Sequence, residues 1–438
     1  MSIELLSFLI IAGFVVLLAL GLPLAFITGS LGVLLTLFLW GPPSLHLMAT
    51  RVFDLMGSYT MIAVPMFILM AAMLERSGVA EDLYSALYQW MGPLRGGLAI
   101  ATVMACTLMA AMTGIIGAAV VTMGLVALPA MLQRGYNKQL AMGSIMAGGS
   151  LGTLIPPSVV FVVYGLEANV SIGKLFLAGI APGLLLSALY VAYIAARGAF
   201  NPTLCPALAP DQRIRSIRAK ITLSRYLILP GGLILAVLGA IYLGITSITE
   251  ASGVGALGAF ACALAHKRLT WANVKESLYV TIKTTAMVMW LFFGASTFVA
   301  AYTRAGGAEL ISNAMLGLGL GPWGVVIVMQ LIMIGLGMFL DWLGILLLAM
   351  PVFVPIIVTL GFDPIWFGVL YVMNMQMAYL SPPFGGALFY MKGVAPAGIS
   401  MSDVIRSVWP FLVLQMLGLA LVMAFPQIAL WIPAHMTG

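Results

Sequence analysis

The chain has 438 residues, 63% of them hydrophobic and only 7% charged, where a soluble domain carries about a quarter charged residues. Its 13 acids and 19 bases cannot cover a water-exposed fold of this size, which excludes soluble enzymes, nucleic-acid binders and disordered scaffolds and leaves an integral membrane protein in a lipid bilayer. The 48 Gly and 23 Pro mark where function is to be sought, because in hydrocarbon every broken backbone turn must be buried in protein or line a cavity.

Along the chain, the first apolar run, Leu5 to Leu20, follows an N-terminus without a basic region and reads as a retained span, not a cleaved signal. Runs of about 17 to 25 residues, long enough for a bilayer of about 30 Å, lie near 5–22, 24–40 and 59–74. Glu81, Asp82, Tyr84 and Tyr88 then suggest an amphipathic helix lying in the interface. The run 97–131 is too long for one span, and 139–168 is interrupted by Pro156-Pro157. A span at 175–196 leads to the longest polar loop, Arg197 to Arg225. The second half follows the same order: spans near 226–243, 249–265 and 284–303, an amphipathic stretch at 308–318, an overlong run at 322–360, a run at 365–391 broken by Pro382-Pro383, and a last span at 408–432.

The bases fix the sidedness. The loop around Arg213, Arg215, Arg218 and Lys220 carries one acid, Asp211, and positive-inside bias places it in the cytoplasm. The tract with His266, Lys267, Arg268, Lys275 and Lys283 belongs there too, and two spans separate the two tracts, as required. Working outward puts Arg76, Arg95, Arg134 and Lys138 inside and both termini outside. The run between Arg95 and Arg134 then enters and leaves on the cytoplasmic face as a re-entrant hairpin (93–131), and 322–360 is a second hairpin entering from the outside.

An internal repeat at an offset of roughly 226 to 229 gives independent support. Arg76-Ser77-Gly78 with Glu81 matches Arg304-Ala305-Gly306 with Glu309, and Gly92-Pro93 matches Gly321-Pro322. Pro129, Gly135 and Tyr136 match Pro355, Gly361 and Phe362; Pro156-Pro157 with Tyr164 matches Pro382-Pro383 with Tyr390; Pro182 matches Pro410. Five crossings per half is an odd number, so the halves, 1–205 and 226–438 joined by a cytoplasmic linker at 206–225, are inverted. The fold expected is all-α and polytopic, with two re-entrant helical hairpins and two broken helices. Inverted repeats with broken helices at the midplane are the pattern of secondary transporters.

The breaks carry the chemistry. In Gly148-Gly149-Ser150-Leu151-Gly152-Thr153-Leu154-Ile155-Pro156-Pro157-Ser158, two prolines remove backbone donors and the glycines permit non-helical torsions, so carbonyls leave the helical ladder. Freed carbonyls suit a hard cation such as sodium, and a helix restarting near Ser158 offers N–H groups to an anion. Ala378-Tyr379-Leu380-Ser381-Pro382-Pro383-Phe384-Gly385-Gly386 repeats the arrangement in the other half. The hairpins should bend at Thr113-Gly114-Ile115-Ile116-Gly117 and at Gly335 to Asp341, positions that close packing of small residues also explains. Asp341, an acid within an apolar run, points to function: it either helps hold a cation or proton, or locks the tip by hydrogen bonds to backbone. Candidate substrate contacts are Thr113, Thr153, Ser158, Asn374, Ser381 and Gly385, with helix-to-helix hydrogen bonding the competing role for Asn374 and Gln376. Cys106, Cys205 and Cys262 form no CxxC pair and the three histidines are scattered, so no disulfide framework, cofactor or metal centre other than sodium is indicated.

Gly-Thr-Leu-Ile-Pro-Pro-Ser at 152–158, Ser-Pro-Pro-Phe-Gly at 381–385, Gly-Pro-Leu-Arg-Gly-Gly-Leu-Ala at 92–99 and Met-Phe-Leu-Asp at 338–341 resemble the large membrane subunit of tripartite ATP-independent periplasmic (TRAP) transporters, over essentially the whole chain. The resemblance implies an elevator-type carrier of the bacterial inner membrane, not an enzyme, driven by a sodium gradient and taking up small carboxylates such as organic or keto acids. It also implies two partners, a separate small four-helix membrane subunit and a periplasmic substrate-binding protein. One implied sodium site comprises Thr113 and Gly114 with Gly152, Ile155 and Pro157; the other comprises Gly337 with Ala378, Ser381 and Phe384, Asp341 lying beside it. The first tip departs from the Ser-Gly-Ser-like pattern of many members and leaves that site more dependent on backbone. The hairpins and broken helices would form the moving body and the remaining spans the scaffold. Rival readings are a stand-alone sodium- or proton-coupled carrier of the same superfamily and a non-transporting subunit of a larger complex.

Overall fold

A computed structural model describes residues 2–113, 116–209, 213–214, 216–225 and 228–436. Helices dominate, and no strand occurs among the described residues. The first half comprises α1 (Ile3–Ala19), α2 (Leu24–Trp40), α3 (His46–Met56), α4 (Ala63–Arg76), α5 (Val79–Met91), α6 (Gly97–Thr113), α7 (Ile116–Gln133), α8 (Lys138–Ser150), α9 (Val159–Glu167) and α10 (Ile172–Phe200). After α11 (Ile217–Ser224) the second half comprises α12 (Ile228–Tyr242), α13 (Ile248–Ala265), α14 (Trp271–Arg304), α15 (Gly307–Leu316), α16 (Gly321–Gly337), α17 (Trp342–Thr359), α18 (Pro364–Leu380), α19 (Gly386–Val394), α20 (Met401–Ala424) and α21 (Gln427–Ala434). Six segments among the described residues are long and apolar enough to cross a membrane, and a bent pair, α11 with α12, would make a seventh. Helices α1 and α2 have 17 residues each, or about 26 Å at 1.5 Å per residue.

Local chemistry repeats between the halves. Gly78 and Gly306 take left-handed torsions, φ 80° and 90°, and start the lateral helices α5 and α15. Gly135 and Gly361, φ 75° and 82°, end α7 and α17, as left-handed glycines commonly do. Asn137 caps α8 by accepting from the backbone of Gln139 and Leu140, and Asp363 caps α18 by accepting from Ile365 and Trp366. Both Pro-Pro bonds, Pro156-Pro157 and Pro382-Pro383, are cis.

Several boundaries differ from the hydropathy reading. Helix α14 begins at Trp271, not near 284, because Thr270 caps it by accepting from Asn273 N at 3.2 Å, and Lys275, Glu276 and Lys283 are good helix formers that a hydropathy scan passes over. The last run divides: a capping box of Ser400 and Asp403 starts α20, the helix ends at Ala424 ahead of Pro426, and α21 takes up the remainder. Two helices were not anticipated. Helix α3 fills the turn after α2, and α11 stands in the polar linker, where Trp90 of α5 donates to Ser224 Oγ at 2.9 Å.

The spans pack in two sets. Helices α2, α4, α12, α13 and α14 pack on one another, whereas α10 lies against α6, α18 and α20, and α20 against α8 and α18. The last span of each half therefore joins the hairpins and broken helices. Glycine explains how: a Cβ at Gly179 of α10 would lie 2.4 Å from the Leu154 carbonyl oxygen, and one at Gly143 of α8 would lie 2.3 Å from that of Ser407. Only hydrogen at these positions lets the helices close.

Candidate functional site

The two breaks are built alike. At the first, a short 3-10 turn over Leu151–Thr153 follows α8, and the chain runs irregularly to Ser158 before α9. Ser158 Oγ donates to the Thr153 carbonyl at 2.6 Å, replacing the donor that Pro157 lacks, and Thr153 Oγ1 donates to the Ser150 carbonyl at 3.2 Å. At the second, Ser381 Oγ donates to the Met377 carbonyl at 2.7 Å and Gly385 N to the Ser381 carbonyl at 2.9 Å. Each break is followed by a helix whose first N–H groups face away from its own ladder, the arrangement that favours an anion.

Each hairpin reaches a broken helix of the opposite half. Helix α7 packs on α8 and also on α19, and α17 packs on α18 and also on α9. Gly117 faces the Tyr390 ring, which a Cβ there would meet at 3.1 Å, and Gly337 sits on Ala378, where a Cβ would come within 2.5 Å. Across the second tip, the Phe339 and Phe384 rings stand 6.2 Å apart at 52°. Of its two possible roles, Asp341 visibly performs the structural one: it caps α17, with Oδ1 accepting from Gly344 N at 3.1 Å. Tyr371 OH donates to the Trp342 carbonyl and fastens the same turn.

Between these elements and helices α4 and α14 lies a cavity of about 670 Å³. Of the residues singled out in the sequence, Thr153, Gly337, Asp341, Ala378 and Phe384 line it together. Gly152, Ile155, Pro157 and Ser158 lie buried behind it, and neither Ser381 nor Gly385 reaches its wall. Asn374 points elsewhere: its Nδ2 donates to the carbonyl and Oε1 of Gln330 at 2.9 and 3.0 Å, tying α18 to α16. Gly114 lies outside the described residues, as does the side chain of Thr113. The sequence reading missed one whole wall, formed by Ile68, Ala71, Glu75 and Arg76 of α4 with Val280, Thr284 and Met287 of α14, and it missed Phe339, Tyr379 and Tyr390. The match of Tyr164 with Tyr390 and of Arg76 with Arg304 already singled out two of these positions.

The lining is mostly apolar, with the polar groups gathered at two levels. Thr153, Asp341, Tyr379 and Tyr390 stand near the breaks, and Glu75 and Arg76 stand where α4 ends. Such a cavity, with few convergent polar groups at paired helix breaks, suits a small polar solute or ion.

Comparison with known proteins agrees with this geometry. The family model described as the DctM component of the tripartite ATP-independent periplasmic transporter matches residues 11–428. The chain is 34% identical to the C4-dicarboxylate TRAP transporter large permease protein of Pseudomonas aeruginosa, over 91% of this chain and 92% of that protein. It is 30% identical to the sialic acid TRAP transporter large permease of Vibrio cholerae, over 92% of each. Among solved structures, the YdaH transporter of Alcanivorax borkumensis shares the fold, with a TM-score of 0.63 at 20% identity over 93% of this chain and 96% of that one.

Proposed function

The chain belongs to the DctM family of large permease subunits of tripartite ATP-independent periplasmic transporters, and on that premise we propose that it carries small carboxylates, organic or keto acids, into the cell on a sodium gradient. A multi-pass permease of this family works with a small membrane subunit and a periplasmic binding protein. In our reading the binding protein delivers the substrate to the outer face in the bacterial inner membrane, the basic loops face the cytoplasm, and both termini face the periplasm. The hairpins, broken helices, α10 and α20 travel as one elevator body against the packed set of α2, α4, α12, α13 and α14. Sodium would sit where a hairpin tip meets a broken helix, one site using Thr113, Gly114, Gly152, Ile155 and Pro157, the other Gly337, Asp341, Ala378, Ser381 and Phe384.

The observation that carries this reading is the meeting of Gly337 and Asp341 with Ala378, Phe384 and Thr153 around one cavity. These residues come from the first break, the second hairpin tip and the second break, which the sequence separates by up to just over half the chain. The test is uptake of labelled organic acids by vesicles holding the chain and its two partners. Uptake should require an inward sodium gradient and should fall at least about tenfold on replacing Asp341 or Ser381 by alanine, which corresponds to about 1.4 kcal/mol of lost interaction. Uptake and sodium dependence unchanged in both variants would remove the assignment.

A further inference from the structure

A second cavity, of about 820 Å³, lies beside the first along α14. The first uses Val280, Thr284, Met287 and Val288 of that helix, and the second uses Phe292, Ser296, Thr297 and Arg304. Thr284 and Arg304 are separated by about 30 Å of helix at 1.5 Å per residue, so the two cavities lie toward opposite ends of α14. Each end carries one member of a matched pair. Arg76 ends α4 and lines the first cavity; Arg304 ends α14 and lines the second; each precedes a left-handed glycine that starts a lateral helix. The inverted repeat thus sets one arginine at each mouth.

Their surroundings differ. Arg76 is held between carboxylates, with Glu276 at 3.2 Å and Glu75 at 3.6 Å, and it also donates to the Ala72 carbonyl at 3.1 Å. Arg304 makes no ion pair among the described residues; its guanidinium lies 5.2 Å from the Trp40 ring centroid. No hydrogen bond or ion pair among the described residues engages the Arg304 N–H groups, and the guanidinium fork matches a carboxylate in bidentate fashion. Arg51, Asp54 and Glu167 face the same cavity, so it is a mixed polar chamber in which Arg304, beside the Trp40 ring, has no carboxylate partner among the described residues.

We propose that Arg304 is an anion-capture residue of the outer cavity, holding a carboxylate before it reaches the paired breaks, and that Arg76 is its inner counterpart, neutralised by Glu276 so that the anion is not retained on release. The proposal rests on the orientation and the carboxylate substrate given above. The driving force is unchanged; what differs is the apparent affinity on each face. An arginine free at one mouth and compensated at the other lowers the substrate concentration needed outside without slowing departure inside.

The test reads the local field directly, with charged thiol reagents in place of the substrate. In the full chain with Cys106, Cys205 and Cys262, all buried, changed to alanine, a reporter cysteine is placed by Ser296→Cys in the outer cavity or Thr284→Cys in the inner one. Detergent-solubilised protein is reacted with the anionic 2-sulfonatoethyl and the cationic 2-(trimethylammonium)ethyl methanethiosulfonates. For the outer reporter, Arg304→Gln should lower the anion-to-cation rate ratio about tenfold, the scale of effect that focused fields produce in clefts, and Arg304→Lys should largely retain it. For the inner reporter, Arg76→Gln should change the ratio less than about twofold and Glu276→Gln should raise it several-fold, because removing the acid exposes the guanidinium. An outer ratio unmoved by Arg304→Gln, or an inner ratio that falls as far with Arg76→Gln, overturns the proposal. Failure of carboxylate uptake with these ratios as expected would remove the substrate reading and leave the anion-capture residue in place. Sodium-driven carboxylate uptake with unmoved ratios would remove this proposal alone.

Discussion

The two breaks share a Pro-Pro motif yet differ in access. Ser150 to Ser158 are all buried, with Thr153 reaching the cavity wall, whereas at the second break Phe384 is 61% exposed and looks into the cavity. The cover makes the difference. Gly179 and Gly183 of α10 close over Leu154 and Ile155. Counting from the matched Pro182 and Pro410, the same positions in the second half are Ser407 and Phe411, and these come up against Gly143 of α8. A motif therefore determines where a helix breaks, and the neighbouring helix determines whether the break is a buried seat or a reachable surface.

The sharpest way to break this contrast is to add a methyl group beside each break. Gly179→Ala places carbon 2.4 Å from the Leu154 oxygen with Phe161 close behind, an overpacking that should cost about 3 kcal/mol and reduce the yield of monodisperse protein. Gly386→Ala, at the second break, meets Tyr379 at 3.5 Å, an ordinary contact, and should cost less than about 1 kcal/mol. Thermal unfolding of the two variants side by side decides the matter; equal losses would mean that burial does not distinguish the breaks.

Next come the serines. Ser158 is fully buried and its hydroxyl serves a carbonyl freed by the break, so Ser158→Ala should lose about 1 to 2 kcal/mol. Ser381 donates to Met377, a carbonyl in the last turn of α18, and Ser381→Ala should lose less stability and more sodium-dependent uptake. A larger thermal loss for Ser381→Ala than for Ser158→Ala would reverse the assignment of seat and surface.

Much of this was legible in the sequence because prolines, glycines and charges act locally. Pro156-Pro157 and Pro382-Pro383 locate the breaks, and Gly135 and Gly361 stand at matched positions ahead of them. What depends on a partner helix was not legible. The hydropathy of 408–432 gave no sign of the Ser400–Asp403 box that starts α20 earlier, nor did that of 284–303 show the capped polar turns of α14. The cavity wall made by α4 and α14 is apolar and reads as any other span. Asn374 is a plausible substrate contact on its own helix, and only the position of Gln330 on α16 shows that it is already engaged.

Asp341 sharpens the comparison at the tips. Its carboxylate caps α17, a role that asparagine fills about as well and alanine loses at about 1 kcal/mol. Asp341→Ala should therefore lower the melting temperature while Asp341→Asn restores it, and both should lose sodium dependence if the charge serves the ion. Asparagine with intact sodium dependence would leave Asp341 a cap alone.

The smallest effect belongs to the tie between the halves. Tyr164, in the helix after the buried break, donates to the Pro364 carbonyl at 2.7 Å, stacks on Tyr371 with centroids 6.1 Å apart, and lies against Gly368. Its ring is confined by packing on both sides, so Tyr164→Phe removes the hydroxyl and leaves the ring in place. Hydrogen bonds between membrane helices are worth about 0.6 kcal/mol on average, and a loss of that size is expected in chemical or thermal unfolding. Tyr390, the matched residue after the open break, is 46% exposed and lines the cavity; Tyr390→Phe should leave stability unchanged and alter uptake instead. A stability loss for Tyr390→Phe as large as that for Tyr164→Phe would show that both breaks are seats, and the distinction between them would then have to come from motion, not from cover.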